Sequence, residues 1–127
     1  MIYKITTDTP IQTVKDEMMA HAKEAGFGVL GTYEFQKILQ SKGMDLNQEI
    51  TGYELCSPKA AQDVMNELPE MSVFLPCRIS VYEENGKTVL STVNINDVMP
   101  TIDASQDFKE HMNSVYTKFV SIMKSWN

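Results

Sequence analysis

Motifs of known chemistry are scarce in this sequence. It contains no phosphate-binding loop, no Cys-x-x-Cys and no His-Glu-x-x-His, and its one Gly-x-Gly-x-x-Gly match, Gly26 to Gly31, leads from a helix end into a strand rather than from a strand into a helix, so the common nucleotide, redox and zinc-protease signatures are not met. There are two cysteines and two histidines. Two thiols are too few for a disulfide framework. His21 and His111 are far in sequence from Cys56 and Cys77, so a structural zinc site with four ligands is not expected within one chain. No cofactor is implied.

Basic clusters are also missing. Eleven Lys and Arg residues stand against seventeen Asp and Glu, giving a net charge of −6. Nucleic-acid affinity comes largely from neutralising phosphates, and anionic lipid surfaces attract basic segments, so neither partner is expected. The amino terminus, Met1-Ile2-Tyr3-Lys4-Ile5-Thr6, has no basic start followed by a long apolar run, and no stretch approaches the roughly 20 apolar residues of a membrane span. The expected location is the cytoplasm. There is no internal repeat and no Gly- or Pro-rich linker, and 127 residues with 43% apolar content suit one domain over 1–127.

What is present is alternating strand and helix grammar. Ile2–Thr6 reads as a strand. Thr9-Pro10 predicts a helix over 10–25, with Thr9 as N-cap, Gln12 completing a capping box and Gly26 as the stop; Val14, Met18 and Ala22 share one face. Phe27–Tyr33 is a second strand, in which Gly28 and Gly31 mark a bulge, a bend or a close backbone approach. Glu34–Lys42 suits a short helix, 45–48 a loop and Ile50–Cys56 a strand. Ser57-Pro58 opens a helix that ends before Pro69.

Ser72–Tyr82 and Lys87–Val93 are β-rich and flank Asn85-Gly86, a hairpin turn signal. Leu75, Cys77, Ile79 and Val81 fall on one face of the first arm. Pro76 cannot donate to a ladder, so it demands an edge, a bulge or the start of regular pairing. The last element opens at Asp103, with Gln106 three residues on, and carries a stripe of Phe108, Met112, Val115, Phe119, Ile122 and Trp126. The order β-α-β-(α)-β-α-β-β-α predicts an α+β fold. Its sheet is mostly antiparallel, with helices on one face and the long C-terminal helix packed on it.

Two segments carry a family resemblance. Tyr53-Glu54-Leu55-Cys56-Ser57-Pro58-Lys59-Ala60 resembles the Cys-Asn-Pro-Lys segment of the domain-of-unknown-function 302 family. Phe74-Leu75-Pro76-Cys77-Arg78-Ile79-Ser80-Val81-Tyr82-Glu83 is similar to its Leu-Leu-Pro-Cys strand, and Ala25-Gly26-Phe27-Gly28-Val29 to its helix-to-strand junction. The resemblance implies a curved antiparallel sheet under a long helix, as in the TATA-box-binding-protein-like fold. It also implies homodimers, and no assigned activity. Ser57 stands where the family has Asn, and Asn94-Ile95-Asn96-Asp97 where it often has Asp-Pro.

Two functional expectations follow. In the first, the chain is a non-enzymatic homodimer that binds a small apolar ligand or a protein partner, with the cleft formed by Met112, Tyr116 or Phe119 and the sheet. In the second, Cys56 and Cys77 form a redox or soft-metal pair. Ser57 and the start of the following helix lie beside Cys56, Lys59 is close enough in sequence to favour a thiolate, and Arg78 follows Cys77. The simpler reading of Cys77 is a small core hydrophobe. The histidines read as surface or boundary residues, Glu83 and Glu84 as solvated turn residues. Glu54 can face a pocket, but a lone carboxylate is weak evidence for acid–base work.

Overall fold

Asn85 (φ 55°) and Gly86 (φ +76°) both adopt positive φ, as the hairpin turn requires. They join β4 (Cys77–Glu84) to β5 (Lys87–Val93) with Glu84 opposite Lys87. The remaining strands build outward from this hairpin: β1 (Ile2–Thr7) on β5, β3 (Thr51–Cys56) on β4, and β2 (Gly28–Glu34) on β3. The result is an open five-stranded antiparallel sheet: the antiparallel pairing is as the sequence predicted, and the strand order, β1-β5-β4-β3-β2, comes from the structure. The computed structural model describes residues 1–127.

Strand alternation divides the sheet. Thr51, Tyr53, Leu55, Ile79, Val81 and Leu90 point to one side, where they are buried. Against them pack Val14, Met18 and Ala22 of α1 (Ile11–Glu24) and Phe119, Ile122 and Met123 of α5 (Gln106–Lys124). A second cluster joins Val64 of α3 (Pro58–Glu67), Met71 and Met99 to Phe108 and Met112 of α5. The stripe on α5 therefore serves both clusters. Each fully buried side chain of this size contributes about 1.5–3 kcal/mol. The opposite side of the sheet carries Lys4, Tyr82, Glu54, Arg78 and Tyr33. Of α2 (Phe35–Gln40), the Phe35 ring lies on this side, against Gly52.

Several expectations are corrected. Residues 72–75 are not strand: Pro69–Phe74 form a 3₁₀ helix, and pairing begins at Cys77, directly after Pro76. Two prolines bound the segment, and neither can donate a ladder hydrogen bond. Thr9 does not cap α1. Pro10 is the N-cap residue, and the Thr9 hydroxyl instead bonds the Trp126 carbonyl at 3.2 Å and meets the Thr7 hydroxyl at 3.2 Å. Asp103 does not cap α5; the Ser105 Oγ accepts from the Phe108 N–H at 3.1 Å. Ser57 is the N-cap residue of α3 but makes no side-chain capping bond. Asn94–Asp97 was not assigned to any element, yet a short helix, α4 (Ile95–Val98), forms there, with Asn94 Oδ1 accepting from the Asn96 N–H.

Candidate functional site

The expected bulge in β2 falls at Leu30, between Val29 and Gly31. It leaves Gly31 beneath Glu54: a Cβ on Gly31 would lie 3.1 Å from Glu54 Oε1 and 3.4 Å from the Tyr33 ring. Glycine here lets both side chains lie flat on the sheet. The Tyr33 hydroxyl donates to Glu54 Oε1 at 2.5 Å, and Arg78 Nη2 donates to Glu54 Oε2 at 3.1 Å. The register sets Arg78 directly opposite Glu54. The Tyr33 bond, followed by that to Arg78, holds the Glu54 carboxyl below its usual range, and the same bond to Glu54 raises the Tyr33 phenol.

A cleft of about 260 Å³ opens on the other side of the sheet, between α5, the segment 73–78 and the end of β5. Met112, Val115, Tyr116 and Phe119 supply one wall, Phe74, Leu75 and Pro76 another, and Thr92, Val93 and Ile95 the third. It forms because Thr92 Oγ1 donates to the Arg78 carbonyl at 2.6 Å where the β4–β5 pairing stops, while α5 crosses above. Met112, Tyr116 and Phe119, singled out from the sequence as one wall, line it together with Cys77 and Arg78. Tyr116 is the exception in polarity. Its Oη is buried without a hydrogen-bond partner, and burial raises its pKa. The Ile95 N–H is near enough to oppose that rise slightly but does not reach hydrogen-bonding geometry.

The two cysteine residues lie close together: Cys77 faces Leu55 across the β3–β4 ladder, Cys56 is the residue after Leu55, and both line a narrow gap beneath α3 and α5. Both are free and half-buried. Desolvation, and then the proximity of Cys56, push the Cys77 thiol up to about 11. Some of the residue remains exposed, but its sulfur sits among apolar side chains, where a thiolate is poorly solvated. Lys59 is engaged elsewhere, with Asp63 one turn along α3 at 3.0 Å. No group of three or more His, Cys, Asp or Glu side chains converges as a metal site.

His21 and His111 lie apart from the cleft. His21 stacks on Trp126 (centroids 4.1 Å, 8° between planes) and shares a 2.6 Å hydrogen bond with Ser125 Oγ. A second polar cluster, not foreseen in the sequence, joins α1 to the far end of β2 and β3. Lys15 reaches Glu49 at 2.7 Å and Glu34 at 3.1 Å, and Thr51 Oγ1 donates to Glu34 at 3.1 Å. Burial opposes the Lys15 charge, but the bonds to Glu49 and Glu34 outweigh it and raise its pKa. No cavity accompanies this cluster among the larger clefts. No helix is long and apolar enough to cross a membrane.

No curated protein matches the chain. Among solved structures it is similar to the crystal structure of an uncharacterised conserved DUF302 protein from Bacillus stearothermophilus. The two are 25% identical, with a TM-score of 0.89 over 99% of this chain and 98% of that one. The sequence pattern of the family described as "Domain of unknown function DUF302" matches residues 3–126. With that match spanning the sheet, the five helices and both cysteine segments, the chain belongs to the DUF302 family.

Proposed function

We propose that this chain is a non-enzymatic domain that binds a small apolar ligand in the α5 cleft, and that it does so as a homodimer. The observation that carries the reading is the cleft itself: a concavity with mostly apolar walls and a few polar groups at its boundary is the usual anatomy of a small-molecule site. At about 260 Å³ it lies just below the roughly 300–1,000 Å³ typical of such sites, which favours a compact ligand. The alternative, a redox or metal role through Cys56 and Cys77, draws support from their adjacency. It ranks second because a thiol held near 11 is protonated, and so a poor nucleophile or ligand, at neutral pH.

Val115→Trp tests the cleft by filling it. Native mass spectrometry of freshly purified protein and calorimetry with short aliphatic and aromatic probes should show binding to the wild type. The variant, with an unchanged circular dichroism spectrum, should show none. A wild type that retains no ligand and binds none of the probes removes the reading.

Self-association is supported by the β2 edge. Leu30 is 67% exposed there, and Tyr33, Phe35, Ile38 and Met44 add large exposed apolar side chains beside an unpaired strand. Light scattering should give a dimer mass for the wild type and a monomer mass for Leu30→Lys. A monomeric wild type at all concentrations removes the dimer and leaves the cleft untouched.

A further inference from the structure

Two clefts flank the middle of α5, and Tyr116 lines both. Met112, Val115 and Phe119 recur at helical spacing and face the apolar cleft. Asn113, Thr117 and Ser121, on the adjoining face of the helix, line a polar groove of about 380 Å³. Tyr116 follows Met112 by four residues and Asn113 by three, so its ring lies between the two rows. The segment after β5 divides in the same way, with Ile95 on the apolar cleft and Asn94 and Asn96 on the groove. No carboxylate lines the groove, and its one charged residue, Lys124, is about 12 Å along the helix axis from Tyr116. The Tyr116 Oη is closed off from water and is the one buried side-chain polar atom without a hydrogen-bond partner. Leaving it unbonded costs free energy that a bonding group would recover.

We infer that the apolar cleft and the polar groove are two halves of one site, which takes a compact molecule with an apolar body and an uncharged, hydroxyl-bearing head. This rests on the cleft being a ligand site and adds the class of ligand. The body lies against Met112, Val115 and Phe119, and the head against Asn94, Asn96 and Asn113. Hydroxyls suit these amides because both kinds of group donate and accept. A charged head would find no counter-charge at the junction, since Lys124 stands at the far end of the groove. A molecule spanning both halves displaces the Tyr116 ring from between them and brings its Oη to the head. The hydrogen bond formed there offsets part of the cost of moving the ring. The apolar cleft alone is small for a ligand site, whereas the two halves together lie inside the usual range.

Ethylbenzene has a body and no head, and octyl glucoside, used below its micelle concentration, has both, so calorimetry on the pair separates the two halves. Wild type should bind both. Asn113→Ala, on the groove and off the apolar cleft, should weaken octyl glucoside about fivefold, as the loss of one hydrogen bond does, and leave ethylbenzene unchanged. Tyr116→Phe should weaken octyl glucoside by a similar factor, yet its urea midpoint should be no lower than that of wild type, because the hydroxyl it removes is unbonded in the free protein. Octanoate, with a charged head, should bind more weakly than octyl glucoside. Circular dichroism checks that each variant folds. If ethylbenzene binds while octyl glucoside does not, or if octyl glucoside is insensitive to Asn113→Ala or to Tyr116→Phe, the two-part site is overturned and the apolar cleft stands. Octanoate binding more tightly than octyl glucoside overturns the uncharged head. Failure of all three probes to bind overturns the cleft reading and this inference with it.

Discussion

Cys77 shows how little a motif says without its surroundings. In sequence it is one of two thiols with family-like neighbours; in the fold its sulfur borders the α5 cleft and the gap under α3. Because the folded chain holds its pKa at about 11, above the ordinary 9.0, the unfolded chain loses this proton first as pH rises. The native state thus keeps its full stability below pH 9 and loses roughly 2–3 kcal/mol between pH 9 and 11 from this residue. Urea titrations across that window should show the decline in wild type and a shallower one in Cys77→Val. Equal slopes would mean the thiol is not desolvated. The placement of Cys77 on the inner face was legible from two-residue alternation. The Glu54–Arg78–Tyr33 group was not, because it depends on the β3–β4 register and on the bulge at Leu30, which bring together residues far apart in sequence.

Among the elements, α5 was the most legible, since its apolar side chains recur every three or four residues and Phe108, Met112, Phe119 and Ile122 of that stripe are buried, with Val115 and Trp126 partly so. Its start was misplaced by two residues because Asp103 and Ser105 are both good caps, and composition does not choose between them. The structure chooses Ser105. Ser105→Ala should therefore cost about 1 kcal/mol of stability, whereas Asp103→Ala should stay within about 0.5 kcal/mol; thermal unfolding of the two variants checks this. A larger effect at Asp103 would move the cap back. The segment 72–75 misled for a different reason. Val73 and Phe74 are strand-forming residue types, but Pro76, which cannot donate to a ladder, separates them from the paired residues of β4, and a 3₁₀ turn satisfies part of the segment's backbone locally. That turn supplies Phe74 and Leu75 to one wall of the cleft, so the cleft's other side could be read from α5 periodicity and this side could not.

At the scale of the whole molecule, two apolar clusters are distinguishable: twelve buried residues between α1, α5 and the sheet, and five between α3, α5 and the loops around Met71 and Met99. Single-domain behaviour requires that they unfold together. The connection is α5, which gives Phe108 and Met112 to the smaller cluster and Phe119, Ile122 and Met123 to the larger. The far end of the larger cluster is closed by Trp126. Its indole stacks on His21 and donates to Glu17 at 3.1 Å, and its carbonyl accepts from Thr7 and Thr9. As the sole tryptophan, it reports on that end alone. Met71→Ala removes a side chain that is 1% exposed in the smaller cluster and should cost about 2–5 kcal/mol. If α5 couples the clusters, the variant's midpoint in urea falls equally whether followed by Trp126 fluorescence or by far-ultraviolet circular dichroism, with one transition in each. If instead the circular dichroism signal splits and the fluorescence midpoint stays at the wild-type value, the two clusters are separate cooperative units, and the cleft between them lies on a hinge rather than in a rigid wall.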